Sequence, residues 1–168
     1  MNKIYACKPS INPFNRHFLL KNEKTVYANL KIEGFLKSSA RYFRNGLSAS
    51  IEKHGSMRKS LFNIYEHKEN KKTKLAFYEF DSLNLLPEGA INFLSGNRFT
   101  VKKYKKNCYY VKSDLTQIAK FDSITPNSFL KHRSLKVEVI NESNKEQELV
   151  IFSVWYMMII IGMGLNDG

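Results

Sequence analysis

The sequence predicts a mainly β protein: an antiparallel β-barrel closed around a buried hydrophobic helix at the C-terminal end. Three observations carry this expectation. Short segments alternate apolar and polar residues with period two, the mark of a strand with one buried and one wet face. The 168 residues include 12 Phe, 9 Tyr and 1 Trp but only 8 Gly and 4 Pro, and large flat side chains suit pleated, half-buried surfaces. Finally, Leu149 to Leu165 is a run of 17 positions without a charge, and a helix that is apolar on every side has to be enclosed by apolar partners.

Taken in order, residues 1–16 read as an irregular N-terminal arm, because Pro9 and Pro13 discourage helix. From Thr25 onward, Val26, Ala28, Leu30 and Ile32 alternate with Tyr27, Asn29, Lys31 and Glu33. Gly34 marks a break. Arg41 to Arg44 leads into Asn45-Gly46, a strong hairpin-turn dipeptide. Leu47, Ala49 and Ile51 then alternate with Ser48, Ser50 and Glu52, and His54-Gly55-Ser56 turns the chain again. Leu61 to Tyr65 and Leu75 to Phe80 flank a polar stretch, Glu66 to Lys74, read as a solvated loop. Pro87-Glu88-Gly89 punctuates the next boundary. Further strands are expected at Ala90 to Leu94, Arg98 to Tyr104, Cys108 to Lys112, Leu115 to Phe121 and Leu135 to Val139. About eight to ten strands at this spacing suggest a barrel or a sandwich. One domain, residues 1–168, accounts for the length.

The final segment is expected to be a helix over residues 145–163. Ser143-x-x-Glu146 fits a capping box, and Gly162 and Gly164 supply stop signals. Three placements stay open: a membrane anchor, a central core helix, or a last core strand with a short helix. Seventeen helical residues span about 25 Å, short of a hydrocarbon core of about 30 Å. Trp155 and Tyr156 also sit mid-segment, whereas aromatic anchors prefer the two interfaces. The core helix is therefore the expectation, with Trp155 and Ile159 on one face and Phe152 and Tyr156 on an adjacent stripe.

The order of many short strands followed by Leu149 to Ile161 resembles the tubby C-terminal-like and phospholipid scramblase superfamily. Arg98 to Val101, Tyr109 to Val111, Ile118 to Phe121 and Lys136 to Val139 carry most of the likeness, and residues 1 to about 24 fall outside it. The resemblance implies a barrel of about twelve strands around a C-terminal hydrophobic helix. Tubby proteins bind phosphoinositide head groups; their binding residues do not align onto this chain residue by residue.

Charge is lopsided, with 27 Lys and Arg against 15 Asp and Glu, a net +12. Such a surface attracts polyanions, although net charge by itself speaks to solubility and non-specific binding. Cys7 and Cys108 form no CxxC pair, and the N-terminal residues lack a long apolar stretch, so a cytoplasmic protein is expected, peripheral at the membrane if it binds lipid. His17, His54, His67 and His132 are isolated from each other. No HExxH, P-loop, GxGxxG or GxSxG occurs, so neither a metal nor a cofactor nor a catalytic residue is assigned. The densest basic run is Lys102-Lys103-Tyr104-Lys105-Lys106. With Tyr109 and Tyr110 nearby, it suits an anionic membrane surface or phosphoinositide-like head group, and also single-stranded nucleic acid. The plain alternative is a solvated hairpin tip whose lysines keep strand edges apart. Lys68, Lys71, Lys72 and Lys74 form a second basic stretch, and Lys131, His132 and Arg133 a third. A non-enzymatic binding module is the expected function. A nucleic-acid binder, a tail-anchored protein and an enzyme with a dispersed site are the alternatives.

Overall fold

In a computed structural model of the protein, which describes residues 3–9, 17–33, 39–54, 60–80, 87–114, 116–124 and 134–164, each strand pairs antiparallel with its sequence neighbours. The strands are β1 (Lys3–Pro9), β2 (His17–Lys21), β3 (Val26–Glu33), β4 (Ser39–Arg44), β5 (Leu47–His54) and β6 (Ser60–Lys68). They continue with β7 (Lys71–Phe80), β8 (Gly89–Phe93), β9 (Arg98–Lys105), β10 (Cys108–Ser113), β11 (Thr116–Ile124) and β12 (Ser134–Val139). Pairing of β1 with β12 closes the barrel, so no strand edge is left along most of the wall. Helix α1 (Lys145–Gly164) follows. Gly34, the turn at Gly55-Ser56, Leu115 and the basic cluster Lys131, His132 and Arg133 lie outside the described residues.

The N-terminal segment is not an irregular arm: Lys3–Pro9 is the strand that closes the barrel. Ile4 points out while Tyr5 is buried and the Cys7 thiol accepts a hydrogen bond from the Trp155 indole N–H at 3.3 Å. Ile4 to Cys7 is a continuous apolar run, with no polar alternation to mark it as a strand, and Pro9 is tolerated because it is the last residue of the strand. Residues 10–16 lie outside the described part. The polar stretch Glu66 to Lys74 is likewise strand, turning only at Glu69 and Asn70, both with positive φ. Cross-strand pairs such as Glu66 with Thr73 hold it together, and from Lys68 to Lys74 its polarity reflects exposure rather than a loop. At Asn45-Gly46, φ values of 45° and 82° give the tight turn that the dipeptide predicts.

The helix occupies the barrel interior. Leu149 to Met157 are all buried, including Ser153, whose hydroxyl donates to the Leu149 carbonyl at 2.8 Å. Around its circumference, Phe152 stacks on Tyr42 of β4, Tyr156 meets Phe62 of β6 edge-on, and Trp155 reaches Cys7 of β1. Trp155 and Ile159 are core residues, as expected. The cap sits one residue later than the sequence suggests. Asn144 Oδ1 accepts from the Gln147 amide at 3.0 Å, and Gln147 Oε1 accepts from the Ser143 amide at 2.6 Å. Glu146, expected in that role, instead accepts from Ser95 and Asn97 in the β8–β9 turn, each at 2.7 Å, and so ties the helix to the wall.

Candidate anion-binding surface

The basic run lies on the hairpin of β9 and β10. Phe99 and Val101 face the core, so Arg98 and Lys102 face out. The register places Lys102 opposite Tyr110, and Tyr110 opposite Lys120 of β11. These three therefore form one row across the outer wall, with Tyr110 flanked by two lysines whose Cα atoms are about 10 Å apart at ordinary strand spacing. Lys112 adds its ammonium 5.9 Å from the Tyr110 ring centre.

A β-bulge shapes the tip. Cys108 pairs with Lys105 and Tyr109 with Lys103, leaving Tyr104 as the extra residue. Bulges re-aim side chains. Here the Tyr104 ring lies 4.8 Å from that of Tyr110 while remaining 63% exposed. Asn107, with φ 62°, closes the turn after Lys106. Lys102, Lys103, Lys105 and Lys106 are all exposed, and none forms an ion pair with another described residue. Lys103 lies on the inward register opposite buried Tyr109, and its amide donates to Glu88 Oε1 at 3.0 Å. The structure thus brings Lys102, Tyr104, Lys105 and Lys106 together with Tyr110 and Lys120. Tyr109, which the sequence pattern grouped with them, is a core residue. Lys120 was missed because only the β10–β11 register puts it beside Tyr110; its ammonium also lies 3.5 Å from Asp122, which offsets part of its charge.

Two lysines of the second basic stretch have carboxylate partners within the barrel wall. Lys72 pairs with Glu52 at 2.6 Å and lies over the Tyr65 ring, and Lys68 stands 3.6 Å from Glu66. His67 approaches Ser50 Oγ at 2.8 Å, and burial together with the charges of Arg41 and Lys72 lowers its pKa.

A polar cluster closes the barrel end at which α1 enters. Arg44 pairs with Glu142, stands 3.5 Å from Glu148, and covers the Tyr27 ring at 3.8 Å. Tyr27 donates to Glu142 and Tyr42 to Glu148. Burial is the main cause of the raised pKa of Tyr27, Tyr42 and Glu148. Perturbed groups cluster at catalytic sites, but also in structural networks. These carboxylates are each bound by a phenol and share one guanidinium, which makes the cluster an anchor for the helix N-terminus. Burial also pushes the Cys7 thiol up to about 11, so it is a packed side chain and no nucleophile at neutral pH.

Among the described residues no group of three or more His, Cys, Asp or Glu is placed to hold a metal ion, and no helix is long and apolar enough to cross a membrane. The chain matches no protein-family model, no curated protein and no solved structure.

Proposed function

We propose that this protein is a non-enzymatic, tubby-like binding module that meets anionic phospholipid head groups, peripherally at a membrane surface, through the outer wall of β9 to β11. The observation that carries the reading is the exposed Tyr104 set among Lys102, Lys105 and Lys106, cations that form no ion pair with a described carboxylate. An amphipathic ring suits the head-group layer. Each lysine near an anionic bilayer contributes about 1 kcal/mol. A closed barrel with a C-terminal helix is the architecture that the resemblance implies, and the reading takes its partner class from that resemblance.

Vesicle co-sedimentation tests it. Binding is expected to require anionic lipid, to weaken as salt shortens the screening length, and to be lost in a Lys102/Lys103/Lys105/Lys106→Gln variant. Binding indifferent to lipid charge and salt would sink the proposal. The paired Tyr104 and Tyr110 rings favour a second reading, stacking on single-stranded bases. Retention on single-stranded nucleic acid with a steep salt slope, without vesicle binding, would select it.

A further inference from the structure

The barrel wall is notched where β2 stops. β1 pairs with β12 through Lys3, Ile4, Tyr5 and Ala6, but with β2 only from Ala6 onward, and Ala6–Lys21 is the last pair. Beyond it the chain turns at Asn22–Thr25 into β3, and no other described strand pairs with the second edge of Ile4 and Tyr5. A depression of about 470 Å³ lies there. Its charge is mainly basic, with Glu23 in the lining and Glu138 opposite Ile4 as the nearby acidic residues. Ala6 is registered against Lys21 on one side and Lys136 on the other, so a single methyl group separates two lysines on the outer face. Lys24 lines the same hollow from the turn.

That turn is rigid. Asn22 Oδ1 accepts from the Lys24 amide at 3.0 Å, the Thr25 amide at 2.8 Å and the Thr25 hydroxyl at 3.1 Å. Tyr5 and Tyr27 pack ring to ring at 4.7 Å behind the wall, and Tyr27 turns inward because it is the extra residue of a bulge opposite Leu20 and Lys21. Glu23 is the one acidic side chain among the described lining residues. Lys21, Lys24 and Lys136 make no ion pair with another described residue. Three cations gathered around one concavity repel each other, and a bound anion relieves that repulsion. Beside them, Ile4 and Val26 are 58% and 54% exposed, an apolar margin next to the charge.

We propose that this notch is a binding site for a phosphate ester, with Lys21, Lys24 and Lys136 holding the phosphate oxygens and Ile4 and Val26 meeting the apolar part of the ligand. It does not depend on the β9–β10 hairpin. The test uses the full chain with two probes, glycerol 3-phosphate in solution and phosphatidylcholine vesicles containing phosphatidic acid. Amide shifts of Ala6, Lys21 to Thr25 and Lys136 should follow titration of the soluble ester if free esters suffice. If only vesicles bind, and the same lysines are required, the ligand is the lipid head group. Charge-assisted hydrogen bonds are strong enough that Lys21→Gln with Lys136→Gln should weaken binding about 10-fold or more. Ala6→Leu should do the same by filling the hollow without changing charge. The variant lacking Lys102, Lys103, Lys105 and Lys106 should keep its response to glycerol 3-phosphate or, if only vesicles bind, the dependence of its remaining binding on Lys21 and Lys136. Shifts elsewhere only, no response to either probe, or binding that ignores both the lysine and the Ala6 variants would overturn the assignment.

Discussion

Replacing Trp155 with alanine removes the largest fully buried side chain of the protein. An indole buries about 200 Å². With most of that area lost at about 25 cal/mol per Å², the transfer cost alone is about 4 kcal/mol. Relaxation around the residual cavity leaves an expected loss of about 3–5 kcal/mol, against a total of about 5–15 kcal/mol for a typical domain. The bond to the Cys7 thiol is a small part of this, since sulfur is a weak acceptor. Trp155→Phe, which keeps a ring and loses the indole N–H, should therefore cost clearly less. Because Trp155 is the only tryptophan, urea unfolding of the variants is followed by far-ultraviolet circular dichroism. In the wild type, emission reports on the barrel interior and should resist acrylamide quenching until the barrel opens. A loss below about 1 kcal/mol, or quenching as ready as that of free indole, would refute the enclosure of the helix.

Three further outcomes are expected. Arg44, Glu142 and Glu148 have side chains only 18%, 17% and 15% exposed; Arg44→Met should cost about 2–3 kcal/mol after allowance for residual solvent, and adding Glu142→Gln should recover part of it in a double-mutant cycle. Burial raises Glu148 above its ordinary 4.5 despite the opposing Tyr42 hydrogen bond and the Arg44 charge, so its contribution is fully present when the carboxyl is protonated and is lost as pH rises through the folded pKa. Measured by urea unfolding from pH 4 to 7, Glu148→Gln should gain on the wild type as pH rises, and a gain on acidification would contradict this. Gly89→Ala should lower the melting temperature, because a Cβ there would lie 2.0 Å from the Glu79 carbonyl oxygen on the paired strand; such overpacking costs about 1–3 kcal/mol.

The polar cluster around Arg44 shows why part of the molecule escapes sequence reasoning. Glu142 and Glu148 flank the helix start and read as ordinary charges there. Their partners, Tyr27, Tyr42 and Arg44, come from strands far away in the chain. The candidate surface was half legible for the same reason. Lys102 to Lys106 is a local run, whereas Tyr110 and Lys120 join it only through register. Tyr104 gains its prominence from a bulge, and no residue pattern marks where a strand will admit an extra residue.

Period-two alternation at Leu135, Val137 and Val139, a turn at Asn45-Gly46 and a charge-free run from Leu149 are one-dimensional facts, and by themselves they determined half-buried strands, a hairpin and an apolar segment that needs enclosure. Burying apolar surface drives folding, and which faces are apolar is written along the chain. The alternation at Val26 was misread for a physical reason. The bulge opposite Leu20 and Lys21 turns Tyr27 inward and leaves Val26 exposed, an exchange that follows from a one-residue slip in a period of two. Only the tertiary structure decided that Lys3–Pro9 closes the wall, that Ala6 lies between Lys21 and Lys136, and that Tyr110 lies between Lys102 and Lys120. Barrel closure brings the first and last strands into register, and which side chains then become neighbours is a property of the paired strands and not of any one of them.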